Sequence, residues 1–347
     1  MKFYQKIAIA LVLLIFMYLI WKLMKKRSML LERTRASTEF FSLRDQESFT
    51  SKKDSPLLIS NVNPKYTNKP LRDFVIKSSY NTAVSGNHVS VDTIKNVLER
   101  GARFLDFEIF YIKNSAQVAF STEDNHETID SDNSILLDDV FTTIISSAFV
   151  APTPNIGDPL FLHLRIKSSH PEIYKEVAKS IDYALRPKLY PKPVTKDTNL
   201  SEIMGKIVIV LDKTLDRDYK KHSQCEPTEK DCLNLALFIN MESGSETLYL
   251  QHYGELLNQC TAPPVILDDC DLCTNVKVMR VVMPDAIYGN TENPEIDEFV
   301  LNYGAQIVPY RFYENDTGLK DYESFFDENN AAFVPLATAL HNIRKVM

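Results

Sequence analysis

The chain has 347 residues, 44% apolar and 24% charged, a globular composition with material for one large domain or two ordinary ones. Its net charge of −7 is uneven: eight Lys and Arg against Glu32 alone make residues 1–35 net +7, which leaves −14 on the rest. An acidic body argues against nucleic acid as a partner and against electrostatic adsorption of the whole domain to anionic lipid.

From Ile7 to Trp21 the sequence is unbroken apolar residues, and it continues past Lys22 through Leu23 and Met24. As a helix, residues 7–24 would span about 27 Å, close to the hydrocarbon thickness of a bilayer. The expectation is a single-pass membrane anchor over residues 1–27. A cleaved signal peptide fits less well, because the flank WKLMKKRSMLLER is bulky and basic and has no small-x-small cleavage site. Lys25, Lys26, Arg27, Arg33 and Arg35 outweigh Lys2 and Lys6, so the positive-inside rule puts the C-terminal domain in the cytosol. A polar, aperiodic tether is expected over 28–67.

Beyond it, apolar runs alternate with helical patterns. Strands are expected at Phe74 to Tyr80, Phe104 to Phe110, Leu160 to Ile166, Lys206 to Asp212, Leu235 to Met241, Val276 to Met283, Gln306 to Phe312 and Ala332 to Pro335. Helices are expected at Val91 to Arg100, Leu136 to Phe149, Pro171 to Leu185, Pro294 to Tyr303 and Leu319 to Glu328. This order predicts an α/β fold, a (β/α)8 TIM barrel over residues 68–340 with an irregular insert at 214–264. The five cysteines, Cys225, Cys232, Cys260, Cys270 and Cys273, all fall in one segment. Cys270 and Cys273 have CxxC spacing with no second pair, a weak zinc signal, and loop disulfides remain open if the body is lumenal.

Two stretches concentrate chemistry. In GARFLDFEIF, Asp106 and Glu108 share a strand face with Phe104; in PLFLHLRIKSS, His163, Arg165 and Lys167 share the corresponding parity. Carboxylates on an inward strand face need positive partners, so neighbouring strands would bring these acids and bases together.

The string PLRDFVIKSSYNTAVSGN, followed by a helix and GARFLDFEIF, resembles the X region of phosphoinositide-specific phospholipase C. That family reads as Pro-Leu, a short strand, Ser-Ser-His-Asn-Thr, a helix, then Gly-Cys-Arg and Glu-Leu-Asp. SEIMGKIVIVLDKT resembles the strand closing the X-like part (68–213), and VKVMRVVMPD with NPEIDEFVLNYGAQIVPYRFYEND resembles the Y region (274–340). The resemblance implies two histidines for acid and base catalysis on a phosphodiester, and calcium held by an Asn and acidic residues.

This sequence departs from that pattern where the chemistry lies. Tyr80 stands at the first histidine and Ser121 at the second, with His126 five residues later; Asn81 is retained. Asp106 and Glu108 are the two strand acids in swapped form, and Arg165 stands at a third acidic ligand. A guanidinium cannot ligate calcium, so the expectation is no metal and an internal ion pair from Arg165 to Asp106 and Glu108. A purely structural salt bridge is the plainer version of the same contact. Lys167 is expected to contact an anion, with Lys213 and Arg280 near strands whose family counterparts meet inositol phosphates.

Three functions follow. The first is a phospholipase C-like protein, anchored through residues 7–24, without calcium-dependent catalysis, that binds a phosphoinositide or other phosphorylated headgroup. The second is an active phosphodiesterase using Arg165, Lys167 and a relocated His88 or His126; calcium re-enters as cofactor if the first reading fails. The third is a structural component of a virion or organelle membrane, since the spare architecture looks like phospholipase C-like proteins of large DNA viruses.

Overall fold

The computed structural model describes residues 11–25, 59–122, 128–226, 231–259, 278–285 and 292–346. The first described element is helix α1, residues 11–25, whose apolar side chains are exposed. Among the described residues no helix is long and apolar enough to cross a membrane, which corrects the expected single-pass anchor and the membrane localisation built on it. Lys22 and Lys25 lie within the described residues of α1. The basic flank from Lys26 onward lies outside the described residues.

The expected tether ends sooner than residue 67. Ile59 and Val62 are buried, and the Val62 N–H donates to Asp158 Oδ1 at 2.8 Å, so the chain is packed on the body from residue 59. Two short strands follow, β1 (Phe74–Ile76) and β2 (Ser78–Ser79). Helix α2 (Val91–Glu99) begins at the Ser90 cap, whose hydroxyl accepts from Asp92 N–H, and buries Ile94, Val97 and Leu98. Gly101 then takes a φ of 83°, the left-handed turn that ends a helix cheaply only with glycine. Strand β3 (Phe104–Ile112) comes next, with an antiparallel hairpin partner β4 (Ser115–Ala119), then α3 (Leu137–Ser147), β5 (Leu160–Ile166), α4 (Glu172–Ser180) and β6 (Ile207–Asp212).

The segment expected to be an irregular insert holds structure. Residues Leu235–Leu237 form a 3-10 turn capped by Asn234 rather than a strand, and the strand begins later, as β7 (Met241–Ser243). Strand β8 (Tyr249–His252) and helix α5 (Tyr253–Gln259) follow. After β9 (Arg280–Met283) come α6 (Ile296–Tyr303), α7 (Thr317–Glu328), β10 (Phe333–Pro335) and α8 (Leu336–Val346), the last running past the expected boundary at 340.

Strands β2, β3, β5, β6 and β7 pair in parallel in that order, and β8 pairs in parallel with β9. The expected strand from Gln306 to Phe312 makes only isolated bridges: Ile307 to Val281 and Ile76, and Tyr310 to Ser79. The last expected strand runs antiparallel, β10 against β1. Alternation along these strands builds two cores. Phe104, Phe161, Val208, Val210, Val281, Met283 and Ile307 meet on the inner face. Leu105, Phe107, Leu162, Leu164, Ile209 and Val282 face the helices. The molecule is thus a mixed α/β fold with its helices packed on the outer face.

Candidate functional site

Parallel pairing of β3 and β5 sets Asp106 opposite His163 and Glu108 opposite Arg165, all on the inner parity. Arg165 lies at the centre. Its Nε donates to Asp106 Oδ1 at 2.8 Å and its Nη2 to Asp106 Oδ2 at 2.7 Å; Nη1 donates to Glu108 Oε1 and Nη2 also to Asn81 Oδ1, both at 2.8 Å. The ion pairs expected from the sequence are present, and one guanidinium spans both acids and the retained Asn81.

The remaining lone pairs of both carboxylates are also taken. Asp106 accepts from His163 Nδ1 at 2.8 Å and from Asn81 N–H at 3.0 Å. Asn81 presents that N–H because its φ of 45° lies in the left-handed region, where Asn is tolerated. Glu108 accepts from Ser121 N–H at 2.8 Å and more weakly from Asn81 Nδ2 at 3.4 Å, and Lys167 Nζ lies 3.3 Å from its Oε2. An ionised carboxylate offers about four acceptor positions, so the donors around each acid match its capacity.

Electrostatics follow from this geometry. Burial opposes ionisation of Asp106, yet the Arg165 guanidinium and the His163 hydrogen bond hold its carboxyl well below the usual carboxylate range. Burial likewise works against the charge on Arg165, and Asp106 outweighs it, keeping the guanidinium above its ordinary value. Burial pushes the Tyr80 phenol well above its usual range, the opposite of what a proton acceptor near neutral pH needs. Its ring lies 4.8 Å from the Arg165 Cζ, a cation–π contact.

The donor set does not fit calcium. Ca2+ takes six to eight oxygen ligands at about 2.3–2.6 Å. Here the oxygens of Asp106, Glu108 and Asn81 converge on a fixed guanidinium and are occupied by hydrogen-bond donors.

Two residues expected near the site lie elsewhere. Lys213 follows inward-facing Asp212, so it points to the other side, where its Nζ meets Glu242 Oε2 at 3.0 Å. Burial works against the Glu242 charge, but Lys220, Lys213 and Tyr219 bring its carboxyl down to about 2. Arg280 shares the parity of Val282, which packs among the helices, and so faces away from Asp106. His126 lies outside the described residues. His88 is exposed in a hairpin, its Nδ1 2.8 Å from Asn87 Oδ1.

Some members of the cluster were missed. His163 has the inward parity but was not assigned to the site; its Nε2 lies 2.8 Å from Ser243 Oγ, so an Asp106–His163–Ser243 chain runs beneath Arg165 with all three residues fully buried. Ser243 ends a three-residue strand that carries too little pattern to be read. Outside the cluster, Cys225 and Cys232 form a disulfide, and the other three cysteines lie outside the described residues.

Residues 67–213 match the family described as phosphatidylinositol-specific phospholipase C, X domain. No curated protein matches the chain. Among solved structures, the crystal structure of PLC21 from L. pealei is similar at a TM-score of 0.57 and 15% identity, over 81% of this chain and 39% of that one. PLC21 from S. officinalis gives 0.55 and 16%, over 81% and 38%. The chain therefore spans about two fifths of the length of these relatives, and at such identities the likeness is one of fold.

Proposed function

We propose that this chain, a phospholipase C-like protein through the X domain at residues 67–213, binds a phosphorylated headgroup at the Asp106–Arg165 cluster and does not hydrolyse phosphodiesters with calcium. The observation that carries the reading is Arg165: four of its hydrogen bonds, at 2.7–2.8 Å, engage the oxygens that would otherwise be available to a metal. Replacement of a proton-transfer pair by Tyr80 and Ser121 supports it further, since neither phenol nor alcohol serves as a base near neutral pH. His163 is the imidazole in contact with the cluster, and it is fully buried with both ring nitrogens engaged.

We read the surrounding fold as a (β/α)8-type barrel. Supporting this are the parallel order from β2 to β7 and the bridges that tie Ile307 to Val281 and Ile76, and Tyr310 to Ser79. On this reading the site sits at the C-terminal ends of β3 and β5, where such barrels carry their ligand sites. The exposure gradient agrees: Asp106 and Glu108 are at 0% and 1%, while Tyr80, Ser121, Arg165 and Lys167 keep 5–8%.

The test is incubation of the purified full chain with phosphatidylinositol vesicles and calcium, followed by assay of water-soluble inositol phosphate. None should form above the protein-free rate. Calcium-dependent release that Asn81→Ala abolishes would contradict the proposal.

A further inference from the structure

Arg311 lies in the stretch that bridges β2 and β9, and sequence alternation gives it the inward parity of Ile307, while Val308, Tyr310 and Phe312 pack in the outer core. The residue is buried, at 4% exposure. Its Cζ lies 5.9 Å from the centroid of the same Tyr80 ring that Arg165 approaches at 4.8 Å, so one phenol is shared by two guanidiniums.

The two arginines differ in what they meet. Arg165 is saturated by carboxylates. Arg311 Nη1 donates to the Glu292 carbonyl at 3.0 Å, and among the described residues no carboxylate lies within ion-pairing distance of it, nor any acceptor within hydrogen-bond distance of its Nε or Nη2. The acids that could have served are committed elsewhere: Asp106 and Glu108 to Arg165 and Lys167, and Asp212 to Thr214. Glu314 N–H donates to the Arg311 carbonyl at 3.1 Å, and its carboxylate acts on the guanidinium through space. A guanidinium held in place with one edge unused offers that edge to an anion.

The backbone beneath Arg311 is built to hold it in place. Its N–H donates to Asn293 Oδ1 at 2.7 Å, and Asn293 Nδ2 donates to the Arg311 carbonyl at 3.1 Å. Asn293 is itself fixed, its N–H donating to Asp316 Oδ2 at 2.8 Å, and Asp316 also caps α7 through Leu319 N–H at 2.8 Å. A residue carried on a reciprocal side-chain brace loses little freedom when a ligand docks, which favours recognition.

We propose that Arg311 is the phosphate-receiving residue of this protein, its Nε and Nη2 edge taking two oxygens of a phosphomonoester that lies beside the Tyr80 ring. This rests on the reading of the site as a binding site. It adds that the anion is held by a cation left over once Arg165 has neutralised the acids. Guanidinium geometry matches two oxygens of a phosphate at once, which an ammonium cannot do. Phosphate could come from a lipid headgroup or from a free phosphorylated metabolite, and the recognition chemistry is the same.

The experiment uses the full chain in phosphate-free buffer. Calorimetry with inorganic phosphate, myo-inositol 1-phosphate and acetate, and sedimentation with phosphatidylcholine vesicles containing phosphatidylinositol 4-phosphate, would be run on wild type, Arg311→Met and Arg311→Lys. Losing a charged hydrogen-bonded contact of this kind should weaken phosphate binding by about 10-fold or more in R311M. R311K, which keeps the charge and loses the fork, should be weakened several-fold. Without ligand, R311M should melt close to the wild-type temperature, because the Nε and Nη2 edge it removes makes no hydrogen bond among the described residues of the ligand-free protein; a merely structural arginine would lower it. Wild-type binding of phosphate that R311M leaves unchanged, a lowered ligand-free melting temperature in R311M, or acetate binding as tightly as phosphate, would each overturn the assignment to Arg311. Absence of binding to the wild type by any phosphate probe would overturn the headgroup-binding reading as well. Tighter binding of inositol phosphate with retention on the vesicles identifies the headgroup as the source, and equal binding of inorganic phosphate without retention identifies a free phosphate; both support Arg311.

Discussion

Replacing Arg165 by methionine is the most revealing perturbation of the cluster. The change keeps most of the aliphatic stem and removes a guanidinium that makes four hydrogen bonds to Asp106, Glu108 and Asn81. Asp106 and Glu108 then remain as neighbouring carboxylates at 0% and 1% exposure, with Lys167 Nζ 3.3 Å from Glu108 Oε2. Breaking one side of a buried ion pair costs about 3–5 kcal/mol because the stranded charge stays desolvated. For a domain of this size that corresponds to a fall in melting temperature of roughly 6–10 °C. The pH dependence provides a second readout. Asp106 has a folded pKa depressed below its unfolded value, so its contribution is present above the unfolded carboxylate range near 4 and is lost as pH falls through the folded value. Wild type therefore keeps this contribution down to about pH 5. In R165M burial acts on Asp106 without the guanidinium, its carboxyl rises, and protonation relieves the strain. Urea unfolding should show the gap between variant and wild type narrowing from about pH 7 to about pH 5. An R165M midpoint within roughly 0.5 kcal/mol of wild type at neutral pH, or a gap independent of pH, would refute the reasoning.

Three further outcomes are expected. Asp158, whose Oδ1 accepts from Val62 N–H, is pushed up by burial to about 6, so stability should fall as pH rises from about 4 through 6, and Asp158→Asn should flatten that part of the urea-midpoint profile. A Cβ at Gly318 would collide with the backbone of Asn293 and Pro294, so Gly318→Ala should destabilise by about 1–3 kcal/mol in denaturant titration and loosen the brace under Arg311. Ser243→Ala should cost about 1–3 kcal/mol by leaving His163 Nε2 buried without its 2.8 Å partner, less than R165M in the same titration.

The cluster itself was legible because strand alternation is a strict rule. Asp106 and Glu108 on one parity, and Arg165 and Lys167 on the matching parity two strands of sequence later, had to meet once the strands paired. Arg311 was hidden by the same rule applied too loosely. Its stretch makes isolated bridges rather than a ladder, Pro309 interrupts it, and the inward set Ile307, Pro309, Arg311 does not look like a strand face. The apolar run Leu235 to Met241 suggested a strand, but the Asn234 cap turns Leu235–Leu237 into a 3-10 turn and the strand is Met241–Ser243. Arg280 and Lys213 were drawn toward the site by resemblance alone, and a one-residue difference in parity is enough to send each to the opposite face. At the N-terminus hydropathy pointed to a membrane span, whereas among the described residues no helix is long and apolar enough to cross a membrane.

The central claim is that a guanidinium from the chain occupies the place of a divalent cation. Calorimetric titration of calcium into the full-length wild-type protein tests it most directly, with Arg165→Glu, which supplies a third carboxylate beside Asp106 and Glu108, run in parallel. The account predicts no saturable heat for wild type and one-site binding for R165E. One-site calcium binding to wild type that Asp106→Asn abolishes would contradict it.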